Sequence, residues 1–185
     1  MRAAFLTALL LTPLPATADD ITDALHAAIT SYEAGDVGEA LEEITYATQL
    51  LNALQAQGFS AYLPEPLSGW TREIDENAGA SLGFIGGGTA AAATYSGPSG
   101  QFTITMMADN PMVMSMAGIL GNSGLMATMG TIERINRENF LNDNGDLSGL
   151  IGNRILIQAE GGSNLDDVIA HLEMIDFDEL ARFGN

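Results

Sequence analysis

The hydrophobic period of this chain changes once, between Gly58 and Trp70, and that change limits what it can fold into. Upstream, Leu25, Ala28, Ile29 and Tyr32 fall at i, i+3, i+4 and i+7, and Ala40, Leu41, Ile44, Ala47, Leu50, Leu51 and Leu54 continue the spacing. Such spacing gathers apolar residues on one face of a helix. Gly35-Asp36 interrupts the pattern and Gly58 ends it, so a helical hairpin is predicted over 19–58. Downstream the pattern alternates, with Phe102, Ile104 and Met106 on one side of a strand and Thr103, Thr105 and Met107 on the other. Pro64 and Pro66 stiffen the stretch between, read as a linker over 59–66. Helices followed by strands predict an α+β chain, with the sheet domain over 67–185.

Within that domain, Gly86-Gly87-Gly88 precedes a small-residue strand, "TAAAATY", whose alanines predict close approach by a helix or backbone. "SGPSG" turns it into "QFTITMM". Asn110 and Pro111 suit the cap and first turn of a helix ending near Gly121. Strands follow at Thr131 to Ile135, near Phe140, in "DLSGLI" and in "RILIQAE", the last two joined by a two-residue turn at Gly152-Asn153. Ile155, Ile157 and Ala159 point one way. A closing helix with Ser163 as N-cap and Asp166 three residues later carries the stripe Leu165, Val168, Ile169, Leu172 and Ile175. The expected architecture is an antiparallel sheet covered by an inserted Met-rich helix and a C-terminal helix.

Two resemblances follow. "SYEAGDVGEALEEITYA" resembles the centre of a tetratricopeptide repeat, with Tyr32, Gly35-Asp36, Ala40, Ile44 and Ala47 at matching spacing. The family has a larger residue, usually Trp, at the place of Leu25, and a helix-ending Pro near Asn52. Only one such unit is present, whereas about three bury a continuous core, so the hairpin is expected to rest on the remainder of the chain. The order of elements from 67 to 180, with its opening "PLSGW" and closing amphipathic helix, is similar to the PsbP-like fold of secreted and thylakoid-lumen accessory proteins and to bacterial periplasmic proteins. That resemblance implies a non-catalytic accessory or binding role.

The first 18 residues read as a secretory signal: Arg2, an apolar run from Ala3 to Leu11, and Ala16-Thr17-Ala18 as cleavage site. Export to a periplasm, with a mature start at Asp19, is the expectation. The run is too short to span a bilayer. With no cysteine, disulfides, thiolate nucleophiles and sulfur-rich metal sites are excluded. Acidic residues number 24 against six basic ones, all arginine, for a net charge of −18. Nucleic-acid binding needs a basic stripe, and a membrane-surface helix needs basic residues too; neither pattern is present.

Candidate chemistry centres on residues 110–129. Met112-Val113-Met114-Ser115-Met116 places soft thioethers at alternate positions, a pattern suited to Cu(I). On a helix, however, Met112 and Met116 share a face and Met114 points away, so Met112 and Met116 are expected on the inward stripe. A helix apolar nearly all round is buried or presents a contact surface. The contact reading uses Met112, Val113, Met114, Met116 and Leu120 to bind another envelope protein or an apolar ligand. The copper reading uses Met112, Met116, Met126 and Met129. The glycine-spaced stretch after Gly121 is expected to let the segment move.

Other patterns are weaker. Asn142, Asn144, Asp146 and Ser148 resemble the start of a calcium loop, but Ile155 stands where the bidentate Glu belongs, favouring a hairpin turn. "GFIGGGTA" lacks the Lys-Ser/Thr pair of a phosphate loop. Asp167 precedes His171 by one helical turn, yet no nucleophile pattern accompanies it, so a surface or internally satisfied histidine is expected. The functional expectation is a non-catalytic accessory or adaptor protein, with copper handling as the alternative.

Overall fold

A computed structural model describes residues 17–79, 87–162 and 164–184. Residues 1–16 of the predicted signal segment 1–18 lie outside these residues, and Ala18 falls in the first turn of the first helix. The chain forms two compact units, one up to Leu51 and one from Asn52 onward.

The first unit holds α1 (Thr17–Glu33) and most of α2 (Val37–Ser60). Gly35, at φ +86°, makes the turn between them, and Asp36 accepts the Glu39 N–H at 3.2 Å to cap α2. The buried positions are small: Ala24, Ala28, Ala40 and Ala47, nearly symmetric about Gly35. Short side chains let two helices lie close. The larger residues expected on the buried stripe, Leu25, Ile29, Tyr32, Leu41, Ile44 and Leu51, are exposed instead. The stripe of larger apolar residues lies about a quarter-turn from the buried line, which alanine rather than leucine marks.

Among the described residues the second unit is built on a seven-stranded antiparallel sheet in the order β1-β2-β3-β7-β6-β5-β4. Its strands are β1 (Thr71–Asp75), β2 (Thr89–Gly97), β3 (Gly100–Ala108), β4 (Thr131–Ile135), β5 (Glu138–Asp143), β6 (Asp146–Ile151) and β7 (Ile155–Glu160). The fold is therefore α+β, as the period change predicts. One sheet face carries Tyr95, Phe102, Ile104, Met106, Phe140, Ile155 and Ile157, covered by α5 (Leu165–Leu172) and α6 (Phe177–Leu180). The other carries Ala90, Met107, Leu141, Leu150 and Leu156 beneath α3 (Pro111–Leu120) and α4 (Ser123–Met129). Helices thus lie on both faces, which is why β7 is apolar at consecutive positions from Ile155 to Ile157.

Several expectations change in detail. Residues 59–66 are no free linker, because Phe59 and Leu63 are buried in the main core. The N-cap of α5 is Asn164, whose side chain accepts the Asp166 N–H at 3.0 Å, rather than Ser163, which lies outside the described residues. The β6–β7 turn uses Gly152, Asn153 and Arg154, with Ile151 paired to Ile155 and the Arg154 N–H donating to the Ile151 carbonyl at 3.1 Å. Two glycines make room for aromatic rings. A Cβ at Gly97 would lie 2.2 Å from the Trp70 indole, and one at Gly149 would lie 2.5 Å from the Phe140 ring across the β5–β6 pair.

Candidate functional site

The α3–α4 layer begins at Asn110, which is almost fully buried. Its side-chain oxygen accepts the Met112 N–H at 2.8 Å, and its amide nitrogen donates to the Gly87 carbonyl at 2.5 Å. The cap therefore ties the helix to the segment entering β2. Pro111 occupies the first helical position, and Gly121 ends the helix. Asn122 then caps α4 by accepting the Gly124 and Leu125 N–H groups, so the glycine-spaced stretch expected to move is a second capped helix. The two axes meet at 91°.

Rotation of α3 about its axis differs from expectation. Val113 and Leu120 point inward, joined by Met126 of α4, while Met116 and Ala117 are half-buried. Met112 and Met114 face out, with 47% and 76% of their surfaces exposed, so Met112 is not a core residue. Val113 and Leu120, seven residues apart, form the inward line, and a β-branched residue packs a sheet surface more rigidly than the flexible methionines beside it. Leu125 and Met129 of α4 are exposed too. The outer surface is therefore Met112, Met114, Leu125 and Met129, bordered by Met116.

Of the residues singled out for contact, Val113 and Leu120 are anchors rather than surface. Leu125 was missed; the Asn122 cap at the start of "SGLMATM" is the sequence signal that places it. Of the thioethers considered for copper, Met126 is fully buried, Met116 packs beside it, and Met112 and Met129 are half-exposed. The four occupy different environments. Among the described residues no group of three or more His, Asp or Glu side chains is placed to hold a metal ion.

The calcium-like loop is a hairpin. Asn144 and Gly145 adopt φ +56° and +103°, and Asn142 accepts the Gly145 N–H at 2.9 Å. Register places Asn142 opposite Leu147 and Leu141 opposite Ser148, so Asn142 and Ser148 project from opposite sheet faces. Gly83 and Gly86 of the glycine-rich stretch lie outside the described residues, whereas Gly88 packs against the Ala108 carbonyl, leaving no room for a side chain.

His171 is fully buried and held at both ring nitrogens. The Leu67 N–H donates to Nε2 at 3.3 Å, which makes Nε2 the acceptor. Nδ1 therefore carries the proton and donates to the Asp167 carbonyl at 2.7 Å. Trp70, Tyr95 and Phe102 surround the ring at centroid separations of 5.1, 4.9 and 5.1 Å. The Asp167 carboxylate faces elsewhere and accepts from Ser99 Oγ at 2.5 Å. This is an internally satisfied histidine that fixes the segment before β1. Beside it, the Tyr95 hydroxyl donates to the Pro64 carbonyl at 2.7 Å, and Arg72 donates to the carbonyls of Leu63 and Pro64.

Fold and site define a class: an antiparallel sheet layered between helices, one layer presenting a methionine-bearing surface. The chain matches no protein-family model, no curated protein and no solved structure.

Proposed function

We propose that this is an exported, non-catalytic accessory protein of the bacterial envelope. It binds another envelope protein or an apolar ligand through the outer surface of α3 and α4. The observation that carries this reading is the division of the layer. Val113, Leu120 and Met126 anchor it to the sheet, while Met112, Met114, Leu125 and Met129 remain in solvent. Unbranched, polarizable side chains on a rigid base suit contacts that must adapt to a partner's shape. An accessory role is also what the resemblance of the element order from 67 to 180 to PsbP-like proteins implies.

The test is native mass spectrometry of the protein isolated from the periplasm, comparing the wild type with a Met112→Gln, Met114→Gln, Met129→Gln variant. The reading predicts a bound protein or apolar molecule on the wild type and its loss from the folded variant. Binding unchanged by the three substitutions would overturn it. N-terminal sequencing of the same sample should begin at Asp19.

Copper handling is the second reading, favoured by Met112 and Met116 standing one helical turn apart. It predicts Cu(I) retained by the wild type and lost from Met112→Gln and Met116→Gln variants.

A further inference from the structure

The helical hairpin carries a second apolar surface, separate from α3 and α4. On α1, Leu25, Ile29 and Tyr32 fall at i, i+4 and i+7; on α2, Leu41, Ile44 and Leu51 fall at i, i+3 and i+10, and all six are exposed. At ~100° per residue each stripe is offset from the buried alanines by roughly 60–90°, in the same rotational sense on both helices. A short connection makes the helices antiparallel neighbours, so equal offsets bring both stripes to one side of the pair.

Charge selects the occupant. Every charged side chain from Asp19 to Leu51 is a carboxylate, and the next arginine is Arg72. Glu33 follows Ile29 by about one turn. Glu42 lies about 100° beyond Leu41 round α2, on the far rim of a shallow groove lined by Leu41, Glu42, Thr45, Tyr46 and Gln49. A second copy of this chain would oppose one carboxylate-only surface with another, and an anionic lipid surface would be repelled in the same way. An apolar stripe bordered by lysine or arginine satisfies both features at once.

We propose that this face of the hairpin is a docking surface for a basic amphipathic helix of a partner protein. Its apolar positions seat on Leu25, Ile29, Leu41 and Ile44, and its cationic flanks meet the carboxylates of Glu33 and Glu42. The two surfaces of the molecule then act independently, one on each unit.

The experiment titrates the purified full chain with two fluorescent helical peptides at 0.15 M salt, followed by anisotropy. One has leucines at helical spacing flanked by lysines; the other keeps the leucines and replaces each lysine by glutamate. The expected result is saturable binding of the lysine peptide alone. It should weaken about tenfold or more for an Ile29→Ser, Ile44→Ser variant whose thermal unfolding matches the wild type. A Glu33→Gln, Glu42→Gln variant should lose several-fold and show a shallower salt dependence. The Met112→Gln, Met114→Gln, Met129→Gln variant should bind the lysine peptide normally, which separates this proposal from the α3–α4 reading. Equal binding of both peptides, or undiminished binding by the serine variant, would overturn the proposal. So would self-association of the chain in sedimentation that the serine variant abolishes.

Discussion

The backbone N–H of Leu67 donates to Nε2 of His171 across 3.3 Å, joining the segment ahead of β1 to the helix that closes the sheet. Removing the imidazole strands that N–H and opens a cavity among Trp70, Tyr95 and Phe102. His171→Ala should cost about 2–4 kcal/mol, combining a lost buried partner with lost packing. Chemical denaturation at neutral pH measures it. A cost under about 1 kcal/mol would show that the ring box does not hold the segment.

Tyr95 gives a pH dependence. Burial pushes its phenol above the ordinary tyrosine range, against an opposing pull from the Arg72 guanidinium. The folded state therefore holds this proton more tightly than the unfolded chain. The stabilisation is complete below the unfolded value of about 10 and is lost as pH rises from there through the raised folded value. Unfolding free energy should fall between about pH 10 and 11, with a shallower fall in Tyr95→Phe. At neutral pH that substitution should cost about 1 kcal/mol for the bond to the Pro64 carbonyl. Identical slopes in the two proteins would refute the assignment.

The methionines should separate cleanly. Met126→Ala should cost about 2–5 kcal/mol, because the side chain is wholly inside the layer, whereas Met114→Ala and Met112→Ala should change stability by less than about 1 kcal/mol. Urea titration of the three variants settles the orientation of α3. Comparable losses at Met114 and Met126 would place the wrong side of α3 against the sheet.

Gly97 and Trp70 form a testable pair. A Cβ at Gly97 would meet the indole at 2.2 Å. Gly97→Ala should destabilise by about 1–3 kcal/mol, and much of that penalty should vanish in a Trp70→Ala background. Additive costs in the double-mutant cycle would mean that the indole does not set the need for glycine.

Much of the architecture was legible from local rules. The change of period near Gly58 announces helices then strands, and Asn110-Pro111 announces the start of α3, because capping and alternation depend on neighbours in sequence. The rotation of α3 was not legible. A helix apolar nearly all round has no preferred inward side until the sheet offers Met107, Leu150 and Leu156 beneath it. The hairpin was misjudged for a related reason: leucine is the stronger apolar signal, but close helix contact selects alanine. His171 was legible only as a residue without catalytic company. Its partner is a backbone group at Leu67, and backbone groups leave no mark in a sequence pattern.

The adjacency of β3 and β7 has a consequence for how the chain assembles. Strands β1 to β3 pair in sequence order, as do β4 to β7, and the sheet becomes continuous along a single seam from Thr103↔Glu160 to Ala108↔Ile155. Residues 109–154 separate the strands that meet there. Loop closure makes that seam the kinetically demanding step, while the hairpins on either side need only short-range encounters. If the backbone is cut between Met129 and Thr131, the pieces retain all their own hairpins and lose only the covalent path across the seam. Regaining structure then becomes a bimolecular event, with a half-time that shortens as the fragments are concentrated.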